Sequence, residues 1–221
     1  MNLNKNEAVA VGTVVKDLEY SHETHGEKFY SLKISSTRMS GKEDIIPVVV
    51  SERILNTSRK YEGKLLGIRG QFRSFNQWDG EGKHLVLFLF AREAELEEDS
   101  VYDLDEIKID GYICKKPVYR ETPLGRQIAD VLIAVNRAYG RSDYLPCICW
   151  GRNARFAKHL DVGTRIIVTG RIQSREYMKK ISDTEFESRT AYEISISSME
   201  VFEDEKNEAE SDETGELQVL S

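Results

Sequence analysis

Four aromatic residues in the second half of the chain, Tyr139, Tyr144, Trp150 and Tyr177, are interleaved with arginines and lysines. Tyr144 and Trp150 lie six apart in a strand-like run, which puts them on one face. Tyr177 ends an alternating row, Arg171–Gln173–Arg175, and Lys179 and Lys180 follow it. Arg137 and Arg152 flank the other rings, and Arg155, Lys158, Arg165 and Arg189 add charge nearby. Exposed rings let flat bases stack for about 1–3 kcal/mol each, and a basic groove tracks phosphates. Together these are the needs of a protein that holds a single nucleic-acid strand without reading its sequence. Tyr and Trp also pack strand cores, and alternating arginines also face plain solvent, so the pattern by itself leaves both readings open.

Other chemistry is poorly supplied. No P-loop, GxGxxG, Ser-His-Asp order or paired catalytic carboxylate occurs in a suitable context, which argues against an enzyme. His22 and His25 are three apart on an expected turn, while His84 and His159 stand alone, so no metal site is expected. Cys114, Cys147 and Cys149 are an odd number without a CxxC; they read as small buried hydrophobes in a reducing cytosol. No cofactor is expected. No run of about 18 apolar residues exists, so no membrane contact is expected, and the first residues lack an apolar signal core.

The elements that must position the aromatic residues come as an internal repeat. Gly12, Arg38, Asp44, Pro47 and Arg53 recur 99 residues later as Gly111, Arg137, Asp143, Pro146 and Arg152. Gly63, Gly70 and Ser74 recur at an offset of 100 as Gly163, Gly170 and Ser174. Two copies of one domain follow: 1–98 and 107–201, joined by an acidic linker at 99–106. Each copy reads as strands with one short helix. In the second, strands are expected at 105–119, 126–139, 143–151, 165–177 and 190–202, with a helix over 153–160 and a hairpin loop over 179–188. Five strands with a helix between the third and fourth is the order of an OB-fold, and Gly170 suits the sharp bend of such a barrel. The expected class is all-β: two tandem OB-fold barrels and a disordered tail.

Charge sharpens this organisation. The net charge of −7 disfavours phosphate binding at first sight. Yet residues 202–221 alone carry −7, while 1–105 carry −4 and 106–201 carry +4. The basic half is the one with the aromatic row. The tail's composition predicts disorder.

The run 130–177, DVLIAVNRAYGRSDYLPCICWGRNARFAKHLDVGTRIIVTGRIQSREY, resembles the core of the bacterial single-stranded DNA-binding protein family. The resemblance implies that Tyr139, Tyr144, Trp150 and Tyr177 stack bases, with Arg137, Arg152, Arg171, Arg175, Lys179 and Lys180 on phosphates. It also implies a role in replication, recombination or repair. It implies a cytoplasmic, nucleoid-associated protein, a homodimer that brings four OB-folds together, and a tail over 203–221 that recruits replication or repair proteins. The first copy matches faintly: Ser40, Ile45 and Ser51 stand where Tyr139, Tyr144 and Trp150 are, and Gln77 stands opposite Tyr177. Arg69, Arg73, Phe75 and Trp78 are its candidate secondary binding residues. On this reading 1–98 serves subunit contacts and 107–201 binds DNA. The alternatives are an RNA-binding or replication-restart accessory protein on the same fold, or a protein-interaction module.

Overall fold

The computed structural model describes residues 6–78, 80, 82–97, 103–180, 182 and 185–202. Five strands form the first half: β1 (Asn6–Thr24), β2 (Glu27–Thr37), β3 (Glu43–Ser51), β4 (Leu65–Trp78) and β5 (Lys83–Leu96). Five more form the second: β6 (Leu104–Glu121), β7 (Gln127–Asn136), β8 (Ser142–Trp150), β9 (Arg165–Lys180) and β10 (Phe186–Phe202). A helix, α1 (Gly151–Ala157), lies between β8 and β9.

Alternation drives each closure. In β3, Ile46, Val48 and Val50 point inward, each at most 1% exposed, while the residues between them face out. The first half closes in the order β1-β2-β3-β5-β4-β1 and the second in the order β6-β7-β8-β10-β9-β6; all pairs are antiparallel except β3–β5 and β8–β10. Each is a five-stranded OB-fold barrel. The barrel centres are filled by Leu32, Ile34, Ile68 and Phe72 in the first, and by Ile109, Ile133, Leu145 and Ile166 in the second.

Gly70 and Gly170 recur because their backbones approach another strand. A Cβ at Gly70 would lie 2.1 Å from the Phe90 carbonyl oxygen, and one at Gly170 2.2 Å from that of Ser195. Only glycine permits this crossing.

Four expectations are corrected. The segment read as a linker to residue 106 already belongs to a strand from Leu104, and β6 pairs with β1 from Val11↔Leu104 to Asn6↔Ile109. The two barrels therefore share one continuous sheet. The first copy has no helix between its third and fourth strands; residues 52–64 run as turns. There Asn56 Oδ1 accepts the Ser58 N–H at 3.0 Å, a local bond that competes with helix formation. Half of the expected loop at 179–188 belongs to a two-stranded ribbon, paired out to Phe186↔Lys180. Such a ribbon has no core face, so its sequence lacks the apolar alternation that announces a strand. The helix of the second copy starts at Gly151 rather than at Asn153.

Three further repeat identities, Arg38/Arg137, Asp44/Asp143 and Ser74/Ser174, build the seam between barrels. Ser174 N donates to Asp44 Oδ1 at 2.8 Å, and Ser174 Oγ accepts from Ile45 N at 2.9 Å. The matched contacts on the other side are Ser74 N to Asp143 Oδ1 at 2.7 Å and Tyr144 N to Ser74 Oγ at 2.7 Å. The seam thus has an approximate two-fold axis. Asp44 and Asp143 are each 1% exposed, so each needs a cation. Arg38 grips Asp44 through Nε and, at 2.6 Å, through Nη2, while Arg137 Nε lies 3.2 Å from Asp143 Oδ2 in an ion contact off hydrogen-bond geometry.

Candidate nucleic-acid interface

Strand parity in β8 turns Leu145, Cys147 and Cys149 into the core and Tyr144 and Trp150 outward, 44% and 40% exposed. Six residues of strand separate the two rings by roughly 20 Å. Tyr144 pairs with Ala134 and Trp150 with Ile128 on β7, so each ring projects beside a smaller side chain and keeps part of its surface in solvent.

Tyr139 was expected at the end of the second strand; β7 stops at Asn136, and Tyr139 stands instead in a 3₁₀ turn, Ala138–Gly140, wholly exposed. Its φ of +62° is left-handed, a backbone state that costs a non-glycine residue about 1–2 kcal/mol. A bulky ring held out in solvent on strained backbone contributes no packing, and such strain gathers at functional sites. Tyr177, on the β9–β10 ribbon, is 38% exposed, with the Arg175 guanidinium 5.8 Å from its ring centre. The four rings all lie outside the core, three around β8 and one across β10 on β9.

The basic residues divide. Arg152 and Arg175 are exposed, and Lys179 and Lys180 follow Tyr177 along the ribbon. Arg137 and Arg171, expected on phosphates, are held in the seam. Arg171 Nη1 lies 3.4 Å from Asp44 Oδ2 and its Nη2 donates to Gln173 Oε1 at 3.2 Å. Gln173, read as a surface residue of the same row, is 6% exposed and donates to Glu193 at 2.6 Å. Of the other nearby cations, Arg165 is paired to Asp110 at 2.8 Å, Arg155 donates to Gln127 at 3.0 Å and Lys158 sits 5.0 Å from the Tyr119 ring centre.

Beside Asp44, burial pushes the Asp105 carboxyl up from 3.8 to about 7, and Asp44 adds repulsion. The Ile172 N–H, donating to Asp105 at 3.0 Å, together with Arg171 and Arg38, pulls the other way. Asn6 occupies the matching place in the first copy; its Oδ1 accepts the Phe72 N–H at 3.0 Å and its Nδ2 donates to the Phe72 carbonyl at 2.6 Å. Burial also raises the thiols, Cys149 to about 12, which fits their place inside the second barrel.

In the first barrel Arg69 is neutralised by Glu7 at 3.1 Å and Glu93 at 3.6 Å. Trp78 is 68% and Phe75 46% exposed. Arg73 lies over the Phe90 ring at 3.9 Å and donates to Gln71 at 2.9 Å. Sequence reasoning missed His22, Phe29, Phe88 and Phe90. The rings of His22 and Phe29 stack at 5.0 Å, Phe29 meets Phe90 at 5.9 Å, and Phe88 meets Phe75 at 5.8 Å. The signal was present in LVLFLF, 85–90, where both faces are apolar although only one can meet the core.

Two closed five-stranded barrels, with solvent-exposed aromatic rings and cations around one of them, define a tandem OB-fold protein. A model of the single-strand binding protein family matches residues 104–202. Single-stranded DNA-binding protein B of Bacillus subtilis is 32% identical over 80 residues, covering 33% of this chain and 71% of that protein. The chain belongs to the single-strand binding protein family. Single-stranded DNA-binding protein A of the same organism is 33% identical over 81 residues, 34% of this chain and 47% of that protein. The chain spans about half the length of most curated relatives it matches. The wild-type single-stranded DNA binding protein from Thermus aquaticus superposes with a TM-score of 0.70 at 20% identity, over 97% of this chain and 96% of that one. At that identity the likeness is one of fold, and it extends over both barrels.

Proposed function

We propose that the protein binds single-stranded DNA without sequence selectivity, with bases stacked on Tyr139, Tyr144, Trp150 and Tyr177 and phosphates on Arg152, Arg175, Lys179 and Lys180. The observation that carries this is the exposure of all four rings on a family-matched barrel whose core is complete without them. Stacking needs open π-faces, and no base-edge reader is required. Tyr139 combines a left-handed backbone with a fully exposed ring, and strain of this kind gathers at functional sites, which supports a role for its ring in binding.

The test is titration of the Trp78→Phe variant, whose only tryptophan is Trp150, with oligo-dT at low salt. Quenching of Trp150 is expected; no quenching and no complex would refute the proposal. Oligo-U in place of oligo-dT separates the RNA reading, because stacking tolerates either sugar while 2′-OH contacts discriminate.

Two finer parts of the proposal come from the sequence. Two chains pair to bring four barrels together, tested by light scattering of the full chain. The acidic segment at 203–221, which lies outside the described residues, recruits replication or repair proteins, tested by pull-down with and without it. Genome maintenance in replication, recombination or repair is the cellular role these activities fit.

A further inference from the structure

The repeat supplies an internal control for the seam, since each position on one side has a counterpart on the other. Where Ser174 meets Asp44, two guanidinium groups, Arg38 and Arg171, face three carboxylates, Asp44, Asp105 and Glu193. The matching places on the other side hold Arg137 and Gln71, against Asp143, Asn6 and Phe88. Gln173 is replaced there by Arg73, and Arg141 stands at the mouth. The first side therefore has more carboxylates than guanidinium groups. The other gathers Arg73, Arg137 and Arg141, with Arg92 in electrostatic reach of Arg73, around the one carboxylate of Asp143.

That surplus lines a groove of about 540 Å³, within the roughly 300–1,000 Å³ of small-molecule sites. Its apolar wall is formed by Phe75, Phe88 and Phe90, with His22 at the rim. The Arg73 guanidinium lies over the Phe90 ring, 3.9 Å from its centre, and a guanidinium plane can itself stack on a flat ring. Burial, and then repulsion from Arg137, lowers the Arg73 guanidinium to about 10. Desolvated like charges of this kind are stabilised by an anion that bonds both. An apolar peptide would cover the rings but leave the cations unmatched; a nucleotide satisfies both.

We infer that this groove is a second single-strand site, which seats a base against Phe88, Phe90 and the Arg73 plane and its phosphate on Arg137 and Arg141. The inference rests on the reading that the chain binds single-stranded DNA, and it assigns the first barrel a direct share in that binding. Arg137 and Arg141 flank Tyr139, so a strand stacked on Tyr139 is handed by its own phosphate contacts to the groove. The path runs across the seam.

The experiment uses the full chain and an oligo-dT of about 30 nucleotides carrying iodouracil, long enough to cover two OB-folds. Photocrosslinks mapped by peptide mass spectrometry are expected in 70–78 and 84–92 as well as in 137–150. The Phe88→Leu/Phe90→Leu double variant keeps the apolar volume and removes the rings. It is expected to lose the 84–92 crosslinks and to weaken binding about tenfold, the loss of one stacked base. The exposed Arg141→Ala serves should that variant fail to fold; its affinity is expected to fall less steeply with salt, the log–log slope shrinking by about 0.7. Crosslinks confined to the second barrel, with affinity and salt slope unchanged in these variants, would overturn the inference while leaving the second-barrel site standing. Absence of any wild-type complex would overturn both, and Trp150→Ala would then be equally without effect.

Discussion

Replacing Asp105 by Asn converts the second copy to the residue the first copy already uses at Asn6. The Asp105 carboxyl titrates near 7 in the fold against an ordinary 3.8. Between about pH 4 and pH 7 the folded state therefore holds a proton that the unfolded state has released, and stability falls as pH rises through that window. Below it, both states are protonated and no penalty exists; above it, the penalty is complete. Three units at about 1.4 kcal/mol each set an upper bound near 4 kcal/mol, and partial contact with solvent brings the expected value to about 2–4 kcal/mol. Asn carries no charge to desolvate. Its Oδ1 accepts the Ile172 N–H as Asn6 accepts that of Phe72. The assay is urea unfolding of both proteins from about pH 3.5 to pH 8. Asp105→Asn is expected to match wild type at the acid end and to exceed it by about 2–4 kcal/mol at pH 8. A variant less stable than wild type at pH 8, or a difference independent of pH, would refute the reasoning by showing the carboxylate to be held ionised by Arg38 and Arg171.

Asp44→Ala leaves Arg38, Arg171 and the Ser174 N–H without their buried acceptor, and is expected to cost about 3–5 kcal/mol in urea unfolding. Asp143→Ala is expected to cost less, about 1–3 kcal/mol, because Arg137 is only loosely engaged. Tyr139→Gly removes left-handed strain together with a stacking ring; stability is expected to rise by about 1 kcal/mol while oligo-dT affinity falls, measured by thermal melting and by titration. Gly170→Ala would press its methyl onto the Ser195 carbonyl and is expected to lower the melting temperature, whereas Gly163→Ala, in open space at φ +93°, carries backbone strain alone and lowers it less.

The two barrels were legible because a repeat identity marks each place where geometry is fixed: Gly70 and Gly170 at the strand crossings, Asp44 and Asp143 at the seam. Tyr144 and Trp150 were legible through strand parity, which needs no partner to be known. The seam contact of Arg171 was illegible for the opposite reason. A guanidinium shows its charge in the sequence but not its carboxylate, and Asp44 lies 127 residues from Arg171. Phe88 and Phe90 were passed over because a strand apolar on both faces reads as ordinary core. The ribbon beyond Tyr177 was taken for a loop because paired strands with two wet faces carry no period. Asp105 fell in a stretch whose acidity resembled a linker, and only pairing with β1 shows that it is held against the seam.

The central claim is that exposed rings on a basic barrel hold single-stranded DNA, and salt-dependent titration of the Trp78→Phe protein with oligo-dT tests it most directly. Trp150 quenching is expected, with log affinity falling linearly as log salt rises, and Trp150→Ala and Tyr177→Ala each weaker by about 1–3 kcal/mol. Binding that is indifferent to salt and unchanged in both variants would contradict the account.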